Sequence, residues 1–102
     1  SNHKMIHVID YLNAHLTDDI TIDFLAEHFY LSRYHLMHAF KEETGYTIGN
    51  YLTTKRLLLA RDQITQGESI TTACYACGFH NYSTFSRAYR KHFGCSPREQ
   101  HN

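Results

Sequence analysis

Little in this chain interrupts a helix. Proline occurs once, at Pro97, and glycine five times in 102 residues. Both residues break helices, proline by lacking an N–H and clashing with the preceding turn, glycine by its conformational freedom. So few of either leaves long stretches open to helix. Strand-type alternation of apolar and polar residues is not evident. No apolar run approaches the ~18 residues of a membrane span, and no leader-like segment opens the residues given. Charge of one sign is also missing. Ten Lys and Arg balance ten Asp and Glu, which removes the overall basic footprint common among nucleic-acid binders. Cysteines are few and odd in number (Cys74, Cys77, Cys95), which points to reduced thiols of a cytosol and not to a disulfide framework. Chemistry-bearing motifs are absent too. There is no glycine-rich phosphate loop, no metalloprotease pair and no nucleophile elbow, so the chain is not expected to be an enzyme. What remains is a 42% apolar content, enough for a helical core in one domain or two very small ones sharing a core.

What is present is a repetition. Leu36 to Thr47 reads LMHAFKEETGYT and Phe85 to Ser96 reads FSRAYRKHFGCS. At an offset of 49, Leu36 falls on Phe85, Ala39 on Ala88, Phe40 on Tyr89, Lys41 on Arg90, Gly45 on Gly94 and Thr47 on Ser96. A short apolar helix pattern and a capping residue precede each copy: Leu25-Ala26 then Ser32, and Ile70 to Ala73 then Asn81. A short helix, a tight turn and a second helix, made twice, is the layout of a tandem helix-turn-helix DNA reader.

Periodicity places the elements. A first helix is expected over about 4–15, with Ile6, Ile9 and Leu12 flanked by Met5 and Val8. Thr17-Asp18-Asp19 breaks it. Thr21 caps a second helix whose buried stripe is Ile22, Leu25, Ala26 and Phe29. Tyr30-Leu31 makes the turn. Ser32 caps a third helix with Leu36, Ala39 and Phe40 inside, ended by Gly45. A long fourth helix over about 48–66 carries Tyr51, Leu52, Leu57, Leu59, Ala60 and Ile64 and stops at Gly67. Ser69 caps a fifth helix (Ile70, Ala73, Cys77), and Gly78-Phe79 makes the second turn. Asn81 caps a sixth helix with Phe85, Ala88, Tyr89 and Phe93 inside, ended by Gly94. Ser96-Pro97 starts a short seventh, with serine at the N-cap and proline at the first helical position. Counted from Ala26 to Ser32 and from Ala73 to Asn81, the second turn is two residues longer. At ~18 residues and 1.5 Å per residue the fourth helix is ~27 Å long, against ~34 Å for one turn of B-DNA. A rigid helix of that length would set two recognition helices against successive major grooves.

Charge divides unevenly. Residues 1–50 hold three basic residues (Lys4, Arg33, Lys41) against seven acidic ones, or −4. Residues 51–102 hold seven basic against three acidic, or +4, which makes the second repeat the better phosphate binder. Nine histidines add positive charge as pH falls toward ~6.5.

These residues resemble the DNA-binding domain of the AraC/XylS family of bacterial transcription regulators. The resemblance runs from about Ile6 to Arg98. It rests on LAxxFYLSRYHLxxxFKxxTGYTxxxYLxxxRLxxA and, most specifically, on the GFxNxSxFSRxYRKxFGxSP segment over Gly78 to Pro97. It implies an all-α fold of seven helices, with two three-helix subdomains joined by a long central helix. As one AraC-type domain over 1–102, the chain divides into a first helix-turn-helix (4–46), a linker helix (47–66) and a second helix-turn-helix (67–102). It implies recognition helices at 32–44 and 81–93 entering successive major grooves. Carried over position by position, base contacts fall to Arg33, Tyr34, Met37 and His38 in the first helix and to Tyr82, Ser83, Thr84 and Arg87 in the second. Phosphate contacts fall to Ser32, Lys41, Asn81, Arg90 and Lys91. Double-stranded DNA is the implied partner, with RNA polymerase beside it. The implied place is the bacterial cytoplasm, at the nucleoid when bound. No cofactor, metal or membrane partner is expected. An effector or dimerisation domain is expected outside this chain, as part of a longer regulator.

Chemistry favours the second helix for discrimination. Arg87 can donate two parallel hydrogen bonds to guanine O6 and N7. Ser83 and Thr84 both donate and accept. Met37 reads no hydrogen-bond pattern but can pack on a thymine methyl. The family pattern commonly ends with an aromatic and an arginine after the proline, whereas here Pro97 is followed by Arg98-Glu99-Gln100-His101. The resemblance also implies that Arg56, on the fourth helix, braces the two halves. Two other readings compete. Cys74-x-x-Cys77 has the spacing of a thiol- or metal-responsive pair, although a metal site needs about four ligands and the repeat already explains that helix. His35 and His38, one helical turn apart, lack a carboxylate and a third ligand. The neutral charge also suits a protein-interaction helical module.

Overall fold

The computed structural model describes residues 3–100. The ends of the 1–102 domain, and His101 of the closing segment, lie outside the described residues. Among the described residues seven helices follow one another: α1 (His3–Ala14), α2 (Ile22–His28), α3 (Arg33–Thr44), α4 (Ile48–Thr65), α5 (Ile70–Ala76), α6 (Tyr82–Phe93) and α7 (Pro97–Gln100). No strand occurs among the described residues. The chain forms two compact units that meet in sequence between Leu52 and Thr53, inside α4. Helix α4 therefore belongs to both, with Ile48 and Leu52 in the first core and Leu57, Ala60 and Ile64 in the second.

In the first unit, Val8 and Leu12 of α1, Leu25 of α2, and Leu36 and Phe40 of α3 are fully buried. Side chains of this size each contribute on the order of 2 kcal/mol on leaving water. The inner stripe of α1 is Met5, Val8 and Leu12. Ile6, expected on that stripe, is 57% exposed, because it stands one residue, or about 100° of helix, from Met5. Tyr51 of α4 sets its ring edge on Phe40, and its hydroxyl donates to Asn13 Oδ1 at 2.7 Å.

In the second unit the fully buried side chains include Leu57 and Ala60 of α4, Ala73 and Cys74 of α5, Cys77 just beyond it, and Phe85 and Tyr89 of α6. Pro97, which opens α7, is buried as well. The Tyr89 hydroxyl donates to Gln100 Oε1 at 2.5 Å. Arg61 of α4 lies over the Phe93 ring, 4.2 Å from its centre, a cation–π contact that spends one of the basic residues on packing.

The predicted caps are where they were expected. Thr21, Ser32, Ser69 and Asn81 each accept from the N–H three residues on, belonging to Phe24, His35, Thr72 and Thr84. Gly45 and Gly94 end α3 and α6 with φ of 81° and 85°. Ser96 and Glu99 form a capping box: the Glu99 N–H donates to Ser96 Oγ at 3.1 Å, and the Ser96 N–H to Glu99 Oε1 at 2.8 Å.

The caps also correct the turn. N-caps Thr21 and Ser69 stand 48 apart, as do C-caps Phe29 and Cys77. The turn bonds keep that offset, Leu31 N–H to the Ala26 carbonyl and Phe79 N–H to the Cys74 carbonyl. So do the two left-handed turn residues, Tyr30 at φ 57° and Gly78 at φ 100°. Ala26 therefore corresponds to Cys74 and not to Ala73. Only at Ser32 and Asn81 does the offset become 49. The second turn is longer by one residue, not two. Matching alanine to alanine slid α5 by one position along α2.

Candidate nucleic-acid interface

Both third helices are built alike. Each is 12 residues long, begins on a side-chain cap and ends on a left-handed glycine. Each turns large apolar residues inward, Leu36 and Phe40 in α3 and Phe85 and Tyr89 in α6. What remains faces out. On α3, Tyr34, Met37, His38 and Lys41 stand at i, i+3, i+4 and i+7, which lines them along one face, and all four are exposed. On α6, Ser83, Thr84, Arg87, Arg90 and Lys91 are exposed. Hydroxyls and a guanidinium toward the N-terminal end suit base edges, and the cationic groups of the last turn suit phosphates.

The two faces differ in how far their charges are already engaged. Arg33 is ion-paired with Asp23 of α2. His38 Nε2 lies 3.8 Å from Glu42 Oε2, and its ring stacks on Tyr34 with centres 5.5 Å apart. Arg90 donates to Glu99 Oε1 at 2.6 Å. Glu99 is held below the usual carboxylate range, first by the Ser96 N–H, then by the Ser96 hydroxyl and by the Arg90 charge. Arg90 thus ties α6 to α7, using one of five guanidinium donors. Tyr82, assigned to bases, is half-buried with its ring tilted against Phe85 at 6.0 Å. Ser32 and Asn81 accept from the His35 and Thr84 N–H groups through their side-chain oxygens, which leaves the Ser32 hydroxyl hydrogen and the Asn81 amide able to donate.

The cysteine and histidine readings find different surroundings. Cys74 and Cys77 have no exposed surface. Burial raises both thiols, Cys77 to about 11 with Cys74 adding to the effect. Thiolates are the metal-binding and nucleophilic form, so this environment favours inert thiols. Among the described residues no group of three His, Cys, Asp or Glu is placed to hold a metal, and no helix is long and apolar enough to cross a membrane. Arg56 is half-buried on α4. The partners of the carboxylates Asp23 and Glu99 are new with the structure. Ser96-x-x-Glu99 had capping-box spacing that could have revealed Glu99. Nothing local relates Asp23 to Arg33, ten residues on.

Residues 25–101 match a helix-turn-helix domain family. The transcriptional activator RhaS of Escherichia coli O139:H28 is 37% identical over 93 residues, 90% of this chain and 34% of that protein. RhaS of Escherichia fergusonii is 34% identical over 97 residues. The chain spans about a third of the length of the curated relatives it matches. Among solved structures, an AraC-type DNA-binding domain-containing transcriptional regulator from Chromobacterium violaceum superposes with a TM-score of 0.83 at 32% identity, over 94% of this chain and 87% of that one. The DNA-binding domain of AdpA, solved in complex with a target DNA, gives 0.87 at 26% identity, over 94% and 87%.

Proposed function

Because this chain belongs to the helix-turn-helix domain family, in its AraC type, we propose that it binds double-stranded DNA sequence-specifically and serves transcription regulation. The observation that carries this reading is the duplicated cap-to-glycine helix, with apolar residues buried and hydrogen-bonding residues exposed in both copies. Helices α3 and α6 each enter a major groove, one groove after the other. Arg87, Ser83 and Thr84 read base edges from α6, and His38, Tyr34 and Met37 from α3. Lys41 and Lys91 meet phosphates, as do the backbone N–H groups after Ser32 and Asn81. Arg90 joins them by exchanging its carboxylate for a phosphate, while Arg33, also on the base-reading side of α3, stays paired with Asp23. RNA polymerase is the proposed protein partner and the bacterial nucleoid the proposed site of action. Effector sensing lies in another part of a longer regulator, which fits the third of RhaS that this chain spans. The role is binding, with no catalytic step.

Selection from random duplexes at ~0.1 M salt tests this, comparing the wild type with Arg87→Ala and His38→Ala. The expected result is a site of two elements about one helical turn apart, each losing definition with a different variant. An absence of any enriched sequence would overturn the reading.

A further inference from the structure

We infer that α3 reads thymine by its 5-methyl group, through the exposed side chains of Tyr34 and Met37. This rests on the DNA-binding reading above and narrows its ligand to major-groove edges rich in thymine.

The chain supplies its own control. The second unit makes the same fold from the same caps, and at the 49-residue offset Tyr34 falls on Ser83 and Met37 on Ser86. A helix of this kind therefore closes its unit with small hydroxyl residues at both places. Nothing in the packing of the first unit calls for an aromatic ring and a thioether there: Tyr34 is 75% exposed and Met37 48%. Leaving that much apolar surface in water forgoes the gain from burying it, so its use lies in what it meets. The Tyr34 ring stacks on His38, and Met37 stands on the same helix face, so the apolar surface is continuous with the proposed DNA face up to Lys41.

The major groove offers donors, acceptors and one apolar group, the thymine 5-methyl. A thioether accepts hydrogen bonds only weakly and a methyl-sized partner suits it. The polar neighbours do little to redirect the helix toward guanine. Arg33, the one guanidinium on α3, is held by Asp23. The unit carrying α3 is also the acidic part of the chain, so its affinity depends less on phosphate attraction and more on close contact.

The test uses the selected duplex and the 102-residue chain. In the element that loses definition with His38→Ala, each thymine is replaced by deoxyuridine, which removes the methyl and keeps the base-pairing edge. The expected outcome is a Kd weakened about fourfold per contacted methyl, with the Tyr34→Ser/Met37→Ser variant indifferent to the replacement. Both side chains are exposed, so the variant should keep the circular dichroism of the wild type. An element without thymine overturns the inference. So does uracil DNA bound as tightly as thymine DNA, or a uracil penalty of equal size in the serine variant. In each of these cases sequence preference persists and the DNA-binding reading stands. Loss of all sequence preference on unmodified duplexes overturns both.

Discussion

Cys77 joins chemistry to stability at the scale of one residue. It closes α5 with no exposed surface, and burial lifts its thiol from the ordinary value near 9 to about 11. A thiol whose folded-state pKa is raised favours its neutral form. Its contribution is therefore whole below about pH 9 and is lost as pH climbs toward about 11, at no more than about 1.4 kcal/mol per pH unit. Thermal melts across that window should show the midpoint falling, and the fall should be shallower in Cys77→Ala than in the wild type. Parallel falls would assign the effect to other groups. Native protein treated with a thiol reagent should label Cys95, which is half-buried, ahead of Cys74 and Cys77.

At the scale of the element, the turns carry the information that the helices do not. Tyr30 and Gly78 occupy the same left-handed place, at φ 57° and 100°. An L side chain there costs about 1–2 kcal/mol, partly offset by the greater freedom of glycine when unfolded. Tyr30→Gly should therefore stabilise the chain by about 0.5–1 kcal/mol in urea unfolding. A loss of stability would mean that the ring, 90% exposed though it is, makes a contact worth more than the strain. The caps were legible because a hydroxyl or amide before an apolar stripe is a local signal. The length of the second turn was not. Its extra residue, between Phe79 and Asn81, shows only when hydrogen bonds rather than matching letters set the alignment.

At the scale of the whole molecule, charge separation along the chain governs how it should respond to salt. The first fifty residues carry −4 and the remainder +4, yet the basic residues are not equally available. Arg33 and Arg90 hold carboxylates and Arg61 covers a ring, whereas Arg87 and Lys91 are exposed on α6. In a plot of log Kd against log salt, Lys41→Ala and Lys91→Ala should each reduce the slope by about 1. Arg33→Ala should change it less, since its charge is already matched by Asp23. Equal reductions from all three would show that the Asp23 pair opens freely on DNA.

The sequence by itself determined the seven helices, the caps, the glycine stops, the repeat and the face of each recognition helix that is buried. All of these follow from periodicity and from contacts within a few residues, so they are written in neighbouring letters. Tertiary structure alone decided that Ile6 is exposed and Met5 buried, that Ala26 stands where Cys74 does, and that Cys74 joins Cys77 in the core. It alone decided that Arg33 answers Asp23 and Arg90 answers Glu99. Those outcomes depend on which side chains meet across helices, and a pairing between residues ten apart on two different helices has no period to announce it. For the same reason, the exposed apolar surface of Tyr34 and Met37 became a question only once both cores were seen to close without it.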